Sequence, residues 1–141
     1  MGKLIAIDPG RHKCGLVLSC PEKGLVLEGR VVHAGAVIDL ITLWKSQFNI
    51  DLILLGNGTS SDYWEEKLTG VASLQVVEEF NTTLKARKRY WELWPPQDFT
   101  RFLPRGLVLP KENLDAVAAL IILENYLGKK LCWKGSKKFK T

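Results

Sequence analysis

Cysteine is scarce and unpatterned in this 141-residue chain. Cys14, Cys20 and Cys132 are odd in number and show none of the short paired spacings of a zinc site or a disulfide framework. They read as packing residues; Cys14 and Cys20 share a face of one expected strand but lie too far apart along it to bridge. Histidine is equally sparse. His12 and His33 are isolated and no Ser-His-Asp or Cys-His order emerges, which argues against His-based nucleophilic catalysis. No stretch of 18 apolar residues occurs, and MGKLIAIDPG enters a strand-like segment without a signal-peptide pattern, so a cytoplasmic protein without membrane contact is expected. Repeats and low-complexity linkers are missing too, and the length suits one domain with its own core.

What is present is ordinary globular composition, with 46% hydrophobic and 25% charged residues and a formal net charge of +5. The positive balance favours polyanionic partners.

Periodicity supplies the elements. Lys3 to Asp8 (KLIAID) is a continuous apolar run ending in an acid, the pattern of a central strand buried on both faces. Two β-like runs follow, Cys14 to Ser19 and Gly24 to His33, separated by the turn Pro21-Glu22-Lys23-Gly24, and together they predict an antiparallel meander. Val37, Ile38, Leu40, Ile41, Trp44 and Phe48 then recur at helical spacing. Asp51 to Leu55 predicts a short buried strand, followed by the loop GNGTSS and a helix through Leu68. A third unit places a strand over Ser73 to Glu78 and a helix over Thr82 to Trp94, stopped by Pro95-Pro96. The last helix, Leu114 to Leu127, is almost wholly apolar and ends at Gly128. The expected class is α/β with the strand order of an RNase H-like fold: a five-stranded mixed sheet, three strands in an antiparallel meander and two parallel, with helices on both faces. Residues 1–128 would form the domain and 129–141 a basic tail.

In open sheets of this kind ligands gather beyond the carboxyl ends of the parallel strands. Asp8 closes the first strand, Glu78 and Glu79 close the last, and Asp115 lies in the first turn of the final helix. Alternation sends Glu78 and Glu79 to opposite faces, so one of them shares a side with Asp8, and spacing alone leaves the choice open. Singly, each acid has a structural explanation as a turn residue, a polar residue before a helix cap, or a helix N-terminal charge. Jointly placed, they would repel one another unless hard cations sat between them, and oxygen donors suit Mg²⁺ or Mn²⁺. Two such ions can activate a water and stabilise the leaving oxygen in phosphodiester hydrolysis.

Ile7-Asp8-Pro9-Gly10 followed by Gly15, then Val77-Glu78-Glu79-Phe80-Asn81-Thr82-Thr83, then Leu114-Asp115-Ala116-Val117-Ala118-Ala119 resemble the YqgF family over most of the chain. The resemblance implies an RNase H-like nuclease acting on Holliday junction DNA or on a precursor of ribosomal RNA, related to the junction resolvase RuvC. It also implies an Asp, Glu, Asp set that is both catalytic and metal-binding. The family's glutamate stands three residues before the first threonine of a Thr-Thr pair, which selects Glu79. Gly56-Asn57-Gly58-Thr59 is similar to the equivalent segment in the YqgF-like domain of the transcription accessory protein Tex, which implies a nucleic-acid-binding role. The chain departs from the family in having Phe80 where a basic residue usually follows the glutamate, and Lys13-Cys14-Gly15 in place of Arg-Ile-Gly.

Lys85, Arg87, Lys88 and Arg89 are the first candidates for nucleic-acid contact. Positions 85, 88 and 89 share one helical face while Leu84, Trp91 and Trp94 mark another. Arg11 and Lys13, beside Asp8, would hold a backbone phosphate. GNGTSS matches no Walker motif and is explained equally as a phosphate cradle or a helix cap. The expected activity is metal-dependent hydrolysis of structured nucleic acid by Asp8, Glu79 and Asp115; the alternative is a non-catalytic nucleic-acid-binding module. Paired cuts in a junction would call for a homodimer.

Overall fold

The first strand, β1 (Lys3–Asp8), is apolar on both sides because it is covered on both sides. Ile5 and Ile7 point into one hydrophobic layer and Ala6 into the other, all three completely buried. The computed structural model describes residues 2–58, 60–78, 82–95 and 114–133. Around β1 the strands lie in the order β5-β4-β1-β2-β3-β6. β2 (Lys13–Cys20) and β3 (Leu25–His33) complete the antiparallel meander, and β4 (Ile50–Gly56) and β5 (Leu74–Val77) add in parallel on the other side of β1. The carboxyl ends of β1, β4 and β5 therefore share one edge of the molecule.

Two helix layers follow from the residue spacing. α1 (Val37–Gln47) buries Val37, Leu40, Ile41 and Trp44, the i, i+3, i+4, i+7 stripe of an amphipathic helix, against one face of the sheet. α2 (Ser61–Leu68) adds Trp64 and Leu68 to the same layer. The opposite face carries α4 (Leu114–Leu127), whose residues Ala116 to Glu124 are all buried. A helix apolar all round needs cover all round. The sheet takes Ala119, Leu120, Ile122 and Leu123, and α3 (Thr82–Leu93) closes over Ala116, Val117, Ala118 and Ile121 with its Ala86.

Three expectations are corrected. The sheet has six strands, because Cys132–Trp133 pair in parallel with Leu25 and Val26 as β6. Two residues leave no periodic signal, yet the Trp133 ring lies where a β-carbon on Gly29 would be and so packs against β3. The chain also does not leave the body at 128. Gly128 ends α4 with φ of 71°, and Leu131 is then buried; residues 134–141 of the expected tail lie outside the described residues. Cys132, finally, is exposed rather than packed, whereas Cys14 and Cys20 are buried.

What holds this return is an ion pair. Arg89 donates Nε–H to Glu124 Oε1 at 3.0 Å and Nη2–H to Oε2 at 2.9 Å, and a further Nη2–H bonds the Leu131 carbonyl at 2.8 Å. Glu124 Oε2 accepts the Leu131 amide at 2.7 Å. Both side chains are nearly out of solvent, at 10% and 7% exposure, so each charge depends on the other. Arg89→Met is expected to cost about 3–5 kcal/mol of unfolding free energy by leaving Glu124 buried and uncompensated, and Arg89→Met/Glu124→Leu to recover much of it. Urea denaturation of the four variants of this cycle measures both; equal stability of the single and double variants would refute the coupling.

Candidate active site

Strand parity aims Asp8 at α4. Leu4 and Ala6 face the α4 layer, and Asp8 continues that parity at the end of β1. Directly opposite Asp8 on β2 is Gly15. A β-carbon at residue 15 would fall on the carbonyl group of Asp115. The first turn of α4 thus rests on bare backbone beside Asp8, and the backbones of two acids 107 positions apart in sequence (115 − 8) flank one glycine.

Charge reports the same convergence. Cys14, buried next to Gly15, has its thiol pKa raised above the ordinary value, first by burial and then by the negative charges of Asp8 and Asp115, with the Gly10 backbone hydrogen bond acting the other way. Lys13, two residues before Gly15 and of the same parity, brings its Nζ to 3.7 Å from Asp115 Oδ2. Lys13 is 67% exposed, so this pair contributes little to stability. Arg11 is exposed in the loop between β1 and β2.

That loop is fixed by a residue the sequence did not single out. Trp64, on α2 and fully buried, donates its indole N–H to the Gly10 carbonyl at 3.1 Å. Gly10 in turn donates its amide to Cys14 Sγ at 3.4 Å, and the Ala34 amide bonds the His12 carbonyl at 2.8 Å. The only advance signal was a Trp on the apolar stripe of α2, which reads as core. Beyond β4, Asn57 donates its amide to the Val77 carbonyl at 2.8 Å, tying the ends of β4 and β5, and Ser61 Oγ bonds Asn57 Oδ1 at 3.2 Å. Ser60 occupies the N-cap position of α2 without a side-chain cap bond.

Other predicted residues scatter. Glu78 is exposed just past β5, whereas Glu79 and Phe80 lie outside the described residues. Among the described residues no group of three His, Cys, Asp or Glu side chains is placed to hold a metal ion. Lys85 and Lys88 are exposed on α3, and Arg87 is half-buried. Arg89, predicted on the same face, is buried and pairs with Glu124. Leu84, expected on the apolar face with Trp91, is 61% exposed, and Trp91 is buried.

No protein-family model matches the chain, and no curated protein matches it. Among solved structures it is similar to T. thermophilus RuvC in complex with a Holliday junction substrate, with a TM-score of 0.52 at 14% identity over 92% of this chain and 98% of that one. The likeness shows an RNase H-like fold, here carrying a sixth strand. No helix among the described residues is long and apolar enough to cross a membrane.

Gly15→Ala is expected to destabilise the protein by about 1–3 kcal/mol or more, since backbone rather than a flexible side chain occupies the space of the added methyl group. Chemical denaturation measures it, and an unchanged midpoint would mean that α4 does not rest there. Removing a neighbouring anion favours the thiolate, so Asp8→Asn or Asp115→Asn should move the Cys14 titration downward, read from its 13Cβ chemical shift. An unmoved titration in Asp8→Asn would place that carboxylate away from the thiol.

Proposed function

We propose that the protein is a metal-dependent nuclease of the YqgF type, hydrolysing phosphodiesters in structured nucleic acid. The observation that carries this is the meeting of Asp8 and the first turn of α4 at Gly15, at the carboxyl ends of the parallel strands. Carboxylate oxygens are the donor chemistry of Mg²⁺ and Mn²⁺, so Asp8 and Asp115 fit such an ion. Glu79 is the third ligand in this reading, on the YqgF resemblance, whose glutamate stands three residues before the first threonine of the Thr82-Thr83 pair. Metal ions bound there would activate water and stabilise the leaving oxygen.

The chain's own groups set the rest. Trp64 holds the loop after Asp8 through the Gly10 carbonyl, which keeps the Asp8 backbone and Arg11 in register with the β2 end. Lys13 neutralises Asp115, and with Arg11 offers cations beside the acids where a backbone phosphate would lie. Lys85, Arg87 and Lys88 extend the positive surface along α3. The solved neighbour is a RuvC bound to a Holliday junction, which supports junction DNA as one substrate; the YqgF resemblance supports a ribosomal RNA precursor as another. Cutting a junction symmetrically would require two copies of the site and hence a dimer. The protein would act in the cytoplasm.

A second reading, a nucleic-acid-binding module without hydrolysis, is favoured by the Lys13–Asp115 ion pair, which balances one acid without a metal.

The test is incubation of the protein with four-way DNA junctions and with precursor ribosomal RNA, in Mg²⁺, Mn²⁺ or chelator. Cleavage is expected only with metal, falling by more than about 100-fold in Asp8→Asn, since even loss of an outer partner of a metal ligand costs about 10–100-fold. Binding without cleavage in every condition establishes the module instead.

A further inference from the structure

A cavity of about 440 Å³ opens between α3 and the C-terminal end of α4, away from the acids. Along α4 its lining runs from Ile121 to Gly128, which at about 1.5 Å per residue lies about 9 to 20 Å beyond Asp115. Five cations line this cavity, Lys85, Lys88, Arg89, Lys129 and Lys130, against only two carboxylates, Glu92 and Glu124.

The charges are arranged in two levels. The floor is the Arg89–Glu124 pair, which is internally balanced and rigid because Leu131 bonds both partners. On the rim, Glu92 balances one lysine by pairing with Lys130 Nζ at 3.0 Å. Lys129 Nζ donates to the Pro21 carbonyl at 2.9 Å, next to Glu22. Lys85 and Lys88, one helical turn apart on α3, are exposed, and no carboxylate pairs with either among the described residues. Among the described residues the cations lining the groove therefore outnumber its carboxylates by three (5 − 2). Such an arrangement is electrostatically unfavourable by itself and is relieved by an anion.

We propose that this groove is a second, metal-independent anion site that binds phosphate groups. The groove shares Lys85 and Lys88 with the positive surface proposed above and extends it with Lys129 and Lys130, and its binding requires neither Asp8 nor a divalent ion. The same chemistry would take the backbone of a nucleic acid or a small phosphate compound. An acidic protein partner is disfavoured because the groove is pocket-sized and, among the described residues, Ile121 is its one apolar side chain.

The experiment is equilibrium binding of a fluorescent DNA duplex to the full chain in chelator, from 50 to 200 mM KCl. The variants are Lys85→Ala/Lys88→Ala and Lys129→Ala, with Lys67→Ala on α2 as control. For duplex bound in the groove, the slope of log affinity against log salt is expected to become shallower by about 0.9 for each lysine that meets a phosphate, hence by about 1.8 in the double variant. Lys67→Ala should leave the slope unchanged. A parallel arm follows the Gly128 amide and Arg89 Nε–H by NMR as inorganic phosphate replaces chloride at constant ionic strength. A saturable shift there with an unchanged slope assigns the site to small phosphate compounds; a shallower slope assigns it to nucleic acid. Unchanged slopes in both groove variants together with no saturable shift overturn the proposal. Because metal is absent throughout, none of these outcomes depends on whether the acids catalyse hydrolysis.

Discussion

At residue 15 the backbone of α4 occupies the volume that any side chain would need. Only glycine lets a helix start in contact with a strand in this way, and the contact brings Asp115 alongside the residue paired with Asp8. The position of the candidate site is thus a packing result. β1 presents Asp8 by alternation, β2 offers the bare surface, and α4, apolar along its length, is driven onto the sheet by burial of Ala119, Leu120, Ile122 and Leu123. Moving α4 outward by the width of a methyl group would disturb both the core layer and the meeting of the acids.

The other end of α4 is fixed by charge instead of close contact. Glu124 is the last buried residue of the helix, and Arg89 reaches it from α3 with the parallel geometry of a bidentate pair. The same two side chains bond both backbone groups of Leu131, so the turn after Gly128 is drawn inward and the chain delivers Trp133 to the edge of β3. There Trp94 meets the Trp133 ring edge-on at 5.3 Å between centroids, and Tyr90 lies 5.2 Å from Trp94. A buried ion pair of this sort adds little net stability over an apolar substitute, but it specifies where the ends go. Its consequence on the surface is a groove whose floor is neutral and whose rim is positive.

Between these two anchors the loops at the site are held by indole and backbone groups. Trp64 is fully buried, and its one polar atom finds the Gly10 carbonyl; Trp44, equally buried, donates to Glu28 on β3 at 2.5 Å. In each case a large apolar body belongs to the core while its N–H reaches outward to set a neighbouring segment. The segment set by Trp64 is the one that follows Asp8.

Local pattern determined the elements. KLIAID, the turn before Gly24, the stripe from Val37 to Trp44 and the apolar run from Leu114 to Gly128 all stand where period and punctuation place them, because each reflects burial that alternation or helical spacing records in the residues themselves. Asp8 and Asp115 were legible as candidates for the same reason: each is an acid at the end of an otherwise buried element. Tertiary structure alone decided what depends on a partner distant in sequence. Arg89 lies one position beyond Lys88, and only the presence of Glu124 across the helix interface turns it inward. Trp133 makes a strand only because Gly29 leaves it room, Trp64 steadies a loop 54 residues away, and Gly15 matters because a helix that begins 99 positions later (114 − 15) lands on it. Spacing along a chain encodes the faces of its own elements; it carries no measure of which face will meet which.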